Sequence, residues 1–394
     1  MQREVYIVSG VRTAIGDFGG SLKDLAPTEL GAQVAREALV RANVDGAEVQ
    51  HVVFGSVIHT EAKDMYLSRV AAMSAGITKD APALTLNRLC GSGLQAIVSA
   101  AQAVTLGDAD IAVAGGAESM SRAGYLASGM RWGARMGDSA MIDMMTAALH
   151  DPFETIHMGV TAENLAESHQ VTRQQQDALA LLSHQRAAHA IKEGRFKSQI
   201  LPVTLKTRKG ETIFDTDEHV RTDATAADFA KLRAVFKKDG TVTAGNASGI
   251  NDGAAAVVLM DGDTLAKRGS KPLGRLVAYA HAGVDPRVMG IGPVPATRAA
   301  LKRAGLTLDQ MDVIESNEAF AAQACAVAKD LGFDPEKTNP NGSGISLGHP
   351  VGATGAMLTV KALYELARIN GRYALVTMCI GGGQGIAAIF ERTN

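Results

Sequence analysis

Arg36-Glu-Ala-Leu-Val-Arg-Ala-Asn-Val44 and Arg298-Ala-Ala-Leu-Lys-Arg-Ala-Gly-Leu306 are two copies of one pattern, 262 positions apart. The shift lays Arg36, Ala38, Leu39, Arg41 and Ala42 on Arg298, Ala300, Leu301, Arg303 and Ala304, and it carries Val52 onto Ile314. An internal repeat of this kind decides the architecture before any single motif does. Each copy reads as helix, short turn and strand. The strands, Val49 to Phe54 and Met311 to Glu315, are short apolar runs bounded by polar residues, as strands buried on both faces are.

Outward from these copies the match continues. Cys90-Gly-Ser-Gly-Leu-Gln-Ala96 opens a helix that leads to the strand Ile111-Ala-Val-Ala114, and His349-Pro-Val-Gly-Ala-Thr-Gly355 opens one that leads to Tyr373-Ala-Leu-Val-Thr377. A third pair, Gly249-Ile-Asn-Asp-Gly253 and Gly381-Gly-Gly-Gln-Gly385, places a glycine turn before an apolar strand, but here the offset falls to 132. The first copy therefore holds an insertion that the second lacks. We expect an α/β chain of two similar halves, 1–120 plus 250–270 and 271–394, with a loop domain inserted at 121–249. Alternating strands and helices favour mostly parallel sheets covered on both faces. Between Lys192 and Gly240 the insertion has 11 Lys or Arg and 8 Asp or Glu, a solvated and loop-rich composition. Long insertions are either surface excursions or lids that touch a ligand, and composition leaves both open.

With 394 residues there is room for two or three domains, each with its own core. Lys plus Arg number 39 against 41 Asp plus Glu, a net charge of -2, so no excess of positive charge drives nucleic-acid binding. The 42 glycines lack a collagen-like period and point to many tight turns. Three cysteines cannot close a disulfide set, which suits a reducing compartment. The first residues carry no apolar leader, and no run approaches the ~18 apolar residues of a membrane helix. The expectation is a soluble cytoplasmic protein with no membrane partner.

Cys90 sits at the mouth of a helix that runs through Ala96, Ile97, Ala100 and Val104. The positive end of the helix dipole and unsatisfied N–H groups lower a thiol's pKa there and make a nucleophile; the competing reading is a buried structural cysteine. His349 stands before the matching helix of the second half. If the halves pack about a pseudo-twofold axis, thiol and imidazole approach each other, the pairing that cysteine catalysis needs. Cys379 ends a strand ahead of Gly381-Gly-Gly383, where it can be exposed beside free N–H groups able to stabilise an oxyanion, or pack in the sheet. Cys325, inside the apolar run Ala319 to Val327, reads as core. Gly383-Gln-Gly-Ile-Ala-Ala388 fits a dinucleotide-binding pattern, but the helix, second strand and acidic residue that complete the fingerprint have no room before Asn394. The histidines and cysteines lack zinc-ligand spacing, so no metal site is expected.

Seven segments together resemble the thiolase family over the whole chain. They are Asn87-Arg-Leu-Cys-Gly-Ser-Gly93, Gly115-Gly-Ala-Glu-Ser-Met-Ser121, His157-Met-Gly-Val-Thr-Ala-Glu-Asn164, Gly245-Asn-Ala-Ser-Gly-Ile-Asn-Asp-Gly253, Asn317-Glu-Ala-Phe320, Gly344-Ile-Ser-Leu-Gly-His-Pro-Val-Gly352 and Cys379-Ile-Gly-Gly-Gly-Gln-Gly385. The pattern is most similar to bacterial acetyl-CoA acetyltransferases and β-ketothiolases, including broader-chain enzymes of polyhydroxyalkanoate synthesis. The resemblance implies a duplicated αβαβα fold and reversible Claisen condensation of two acyl-CoA molecules, acetyl-CoA and also propionyl-CoA. It implies coenzyme A as substrate with no permanently bound cofactor, and a homotetramer built as a dimer of dimers. By position it implies Cys90 as the acyl carrier and His349 as its activator. Cys379 becomes the acid/base at the α-carbon, and Asn317 holds a water that with His349 stabilises the enolate. The N–H groups of Cys90 and Gly381 form a second oxyanion hole. Around coenzyme A it implies Leu149, His157, Arg221, Ala244, Ser248, Met289, Ala319 and Phe320, which favours the lid reading of the insertion. Ala234 and Ser316 depart from frequent family residues without touching this chemistry.

Other readings remain at this point. A decarboxylating ketoacyl synthase shares the fold and a nucleophilic cysteine, but would carry histidine or asparagine where Cys379 stands. A β-oxidation thiolase of longer chain preference and a catalytically silent acyl-CoA binder on the same scaffold are the others.

Overall fold

The computed structural model describes residues 3–207 and 210–393. Its main strands are β1 (Val5–Thr13), β2 (His51–Gly55), β3 (Ala83–Leu86), β4 (Ile111–Ser119), β5 (Asn251–Asp261), β6 (Gly274–Gly283), β7 (Val313–Ser316), β8 (Tyr373–Ile380) and β9 (Gln384–Glu391). They lie in the order β7-β8-β9-β6-β1-β5-β4-β2-β3. One half of the repeat supplies β1 to β5 and the other β6 to β9. The two sheets join edge to edge where Tyr6 pairs with Arg275 and Ile7 with Gly274. The strands foreseen at Val49 to Phe54 and Met311 to Glu315 are β2 and β7, displaced by one or two residues.

Helices complete five layers. α1 (Pro27–Ala42) covers the outer face of the first sheet, with α2 (Leu67–Ala75) beside it. α3 (Ser92–Leu106) lies between the sheets, and later in the chain α8 (Thr354–Ile369) packs against it there, while α6 (Pro293–Ala304) covers the outer face of the second sheet. A helix with sheets on both sides must be apolar all round, and α3 is buried on nearly every face. This accounts for a correction: Leu89–Leu106, with mean hydropathy 1.3, is long and apolar enough to cross a membrane, although the sequence reading found no such run. It is a core helix, two-thirds buried.

The sheet is mixed, where alternation predicted mostly parallel strands. β2 runs parallel to β3 and β4, and β7 parallel to β8. The pairs β1/β5, β5/β4, β6/β9 and β8/β9 are antiparallel. The cause is visible in the connections. β8 and β9 are joined by three glycines, too short for a crossover, and Gly382 and Gly383 adopt φ of 79° and 85° to reverse the chain. β5 returns from the insertion rather than from a crossover helix, so no handed βαβ unit dictates its direction.

The repeat closes about a pseudo-twofold axis between α3 and α8. A Cβ on Gly93 would stand 2.7 Å from the Ala356 backbone N, and one on Gly355 would stand 2.4 Å from the Leu94 backbone N. Gly93 and Gly355 are partners under the 262-residue shift, as are Leu94 and Ala356, so the contact is reciprocal. These backbone atoms cannot swing aside. Gly355→Ala is therefore expected to cost ~1–3 kcal/mol through overpacking, read as a lower urea midpoint at unchanged slope.

The insertion is more ordered than its charge suggested. It contains α4 (Met158–Ser168), α5 (Arg173–Lys192) and the hairpin Val203–Thr207/Gly210–Phe214; α7 (Ala321–Leu331), from the second half, packs against both helices. Thr172 and Gln175 form a capping box at the start of α5. A buried bidentate pair, Arg12 Nη1 and Nη2 to Asp217 at 2.7 and 2.9 Å, pins the insertion to β1.

Candidate active site

Cys90 is placed by a tight turn between β3 and α3. The Asn87 Oδ1 accepts the Leu89 N–H at 2.9 Å, and Ser92 Oγ accepts the Arg88 N–H while donating to Leu89 O. These bonds hold Leu89 at φ 44°, a left-handed conformation uncommon for leucine, and present the next residue to a cavity. Cys90 remains partly exposed there. The backbone N–H groups of Gly381 and of Cys90 itself both reach the sulfur and favour thiolate, but burial outweighs them and pushes the thiol up to about 11. This corrects the sequence argument, which weighed the helix terminus without the desolvation.

His349 lies on the second half's matching turn. Asn251 Oδ1 accepts its backbone N–H at 2.9 Å. Its Nδ1 is 2.7 Å from Thr354 Oγ1, and because that hydroxyl donates to Pro350 O, it accepts the Nδ1 proton. Nε2 is thus left with a lone pair, 3.3 Å from the donor Nδ2 of Asn317. Burial lowers the imidazole to about 4, so the ring is neutral at physiological pH. Asn317 follows β7, fully buried, with its Oδ1 unpaired among the described residues.

Cys379 ends β8 and is fully buried rather than exposed. Met158, Met289, Ala319 and Phe320 close over it. Burial, and then the neighbouring Cys90, hold its thiol well above the usual range. A Cβ on Gly91 would strike the Ile380 side chain at 2.5 Å, so the turn that carries Cys90 rests directly on the end of the Cys379 strand. Cys325, on α7, is only partly buried, its sulfur 3.9 Å from Gln175 O and remote from this group.

The cavity in front of Cys90 has a volume of about 470 Å³. Cys90, His349 and Gly381 line its base, with Asn317 and Cys379 behind them. Leu149, His157, Ala244, Ser248, Met289, Ala319 and Phe320 also line it. Arg221 does not: it lines an adjoining cavity of about 400 Å³ with His184 and Asp223. His157 caps α4 by accepting the Gly159 N–H on Nδ1, and its ring stacks on Phe236 at 4.6 Å. The sequence reading missed Phe236, Met158, Met120, Asp17 and His219 in the walls. Two of them had a signal: Met158 lies inside the segment that begins at His157, and Met120 inside Gly115 to Ser121. Glu118 was missed too: its buried carboxylate accepts N–H bonds from Val57, Ile58 and Gly352, tying the two halves together behind Cys90.

A thiol facing the cavity, a neutral imidazole whose Nε2 lone pair meets the Asn317 amide, two converging N–H groups and a second, buried thiol make a constellation suited to acyl transfer. The chain matches the thiolase N-terminal domain over residues 5–263 and the thiolase C-terminal domain over 270–392. The chain belongs to the thiolase family. This thiolase is 71% identical to the beta-ketothiolase BktB of Cupriavidus necator over the full length of both chains. It is 48% identical to an acetyl-CoA acetyltransferase of Syntrophomonas wolfei, with 99% of this chain and all of the relative covered. Among solved structures it is similar to the Bacillus anthracis acetyl-CoA acetyltransferase, with TM-score 0.98 and 45% identity over 100% of this chain and 99% of that one. The human mitochondrial 3-ketoacyl-CoA thiolase in complex with CoA superimposes at TM-score 0.97 and 44% identity, covering 100% and 98%. As a thiolase the protein is an acyltransferase. It catalyses the reversible Claisen condensation of acyl-CoA thioesters and the reverse thiolysis.

Proposed function

We propose that this thiolase carries its acyl group on Cys90 and activates the second substrate with Cys379, taking acetyl-CoA and propionyl-CoA. The reading rests on one observation: Cys90, His349 and Gly381 converge at the base of a single cavity, with Asn317 and Cys379 directly behind. Because burial opposes a standing thiolate, the nucleophile forms as attack begins, its proton passing to His349 Nε2. The resulting imidazolium then donates, with Asn317, toward a developing oxyanion, while the Cys90 and Gly381 N–H groups hold the oxygen of the acyl-enzyme. Cys90 is neutral both as the free thiol and as the thioester, so it places no charge beside Cys379 when the α-proton must be taken, and burial is what keeps the Cys379 thiol protonated until then.

Seven cavity-lining residues and Arg221 in the adjoining cavity support a bound coenzyme A that runs from the thiol to a nucleotide end. The acyl end faces Val57, Leu89, Met120 and Val351, an apolar wall with room for short chains. Met120 is fully buried and packs with Ile58 and Val351 next to Cys90. Met120→Ala is expected to raise kcat/KM for 3-ketovaleryl-CoA relative to acetoacetyl-CoA by about 5- to 150-fold, since one methylene in a hydrophobic pocket is worth ~1–3 kcal/mol. A lower ratio would place the acyl chain elsewhere.

We further propose a cytoplasmic homotetramer. Three free cysteines suit a reducing compartment. The exposed Tyr125, Leu126, Met130, Trp132, Met136, Met141 and Ile142 suit burial against a second copy. Condensation of two acyl-CoA with no malonyl donor, measured on the purified enzyme, tests the reaction, and sedimentation tests the assembly.

A further inference from the structure

The two cavities meet beside Ser248, and three residues line both: His219, Ala244 and Ala247. An arm that crosses from one cavity to the other must pass them, and among the three only the imidazole can form a side-chain hydrogen bond. His219 is held in place. Its Nδ1 lies 2.5 Å from Asp17 Oδ1, and Asn251 Nδ2 reaches the same oxygen at 3.3 Å. The neighbouring Glu218 accepts the Asp17 N–H at 2.9 Å and the Ser21 hydroxyl at 2.8 Å, fixing the two segments to each other. A Cβ on Gly249 would stand 2.8 Å from His219 Cε1 and 3.0 Å from Nε2, so the absence of a side chain there keeps this edge of the ring uncovered. Among the described residues no hydrogen bond reaches Nε2.

In the neutral ring the carboxylate accepts the Nδ1 proton, which leaves a lone pair on Nε2. The stretch of coenzyme A between its phosphates and its thiol carries two amides. We propose that His219, aimed by Asp17, is a substrate-binding residue that accepts a hydrogen bond from an amide N–H of the pantetheine arm where it crosses between the cavities. This deepens the two-cavity reading of the coenzyme A site and rests on it.

The test compares acetoacetyl-CoA with acetoacetyl-pantetheine, which lacks the nucleotide. In a ping-pong reaction kcat/KM for the keto thioester reports its own half-reaction alone. Asparagine retains an atom where Nδ1 meets Asp17 but nothing at Nε2, whereas glutamine retains a polar atom at Nε2. His219→Asn and His219→Leu are expected to lose about tenfold in kcat/KM with both thioesters, mostly through KM, the worth of one neutral hydrogen bond. His219→Gln should recover most of it. Wild-type kinetics for His219→Asn would overturn the proposal and leave the ring a latch for Asp17. A loss confined to acetoacetyl-CoA would also overturn it, by assigning the contact to the nucleotide end. Equal kcat/KM for the two substrates in the wild type would instead overturn the two-cavity reading, and the His219 variants would still be read on the pantetheine thioester.

Discussion

Cys90→Ala is expected to lower thiolysis of acetoacetyl-CoA by roughly 10⁴-fold or more, with the folded state intact. No other side chain in the cavity can replace it: Cys379 is fully buried behind Gly381 and Cys325 lies outside the site. Loss of a covalent nucleophile that works with its base as one unit removes nearly all of the chemical acceleration, while binding of the CoA thioester survives. Unchanged KM or Kd for the thioester with kcat reduced to background would separate this from unfolding. Activity within tenfold of wild type would remove Cys90 from the acyl-carrier role.

Cys379→Ala is expected to lose about 10²- to 10⁴-fold, the usual worth of a general acid/base. The loss should be selective. Acylation of Cys90 by acetyl-CoA needs the thiol, His349 and the two N–H groups, all of which remain in this variant, so the acetyl group should load and then persist. Condensation needs a base at the α-carbon and stalls. A variant that fails to load at all would move Cys379 into the acylation step, contrary to the division of labour between the two thiols.

The repeat made the architecture legible because its cause is local: the same helix, turn and strand signals recur at one offset, and glycines at 93 and 355 are needed wherever the halves touch. Cys90 and His349 were legible for the same reason, each at a helix start. Asn317 carried no signal of its own and was reached through the family resemblance alone. What stayed illegible depends on tertiary surroundings. Helix α5 buries Gln176, Ala180, Ser183, His184, Ala187 and Ala190, a stripe with helical spacing but little hydrophobicity, so periodicity is silent there. The direction of the Cys90 shift required knowing how dry its surroundings are. The exposure of Cys379 required knowing that two methionines and a phenylalanine fold over it. His219 and Phe236 enter the walls from the charged part of the insertion, where neither spacing nor composition marks them.

The proposed division of labour has consequences for order as well as rate. A neutral His349 beside a protonated Cys90 means that the free enzyme stores no ion pair in a dry site, and charge appears only when a thioester oxygen is there to share it. The two thiols are chemically alike and are told apart by position: one faces the cavity, the other lies beneath it.

The most direct measurement is peptide mass spectrometry of the wild type and of Cys379→Ala after brief incubation with acetyl-CoA. The account predicts one acetyl group on the peptide containing Cys90 in both proteins, transient on adding CoA in the wild type and long-lived in the variant. Acetyl on Cys379 or Cys325, or full turnover with no acetyl on Cys90, would contradict it.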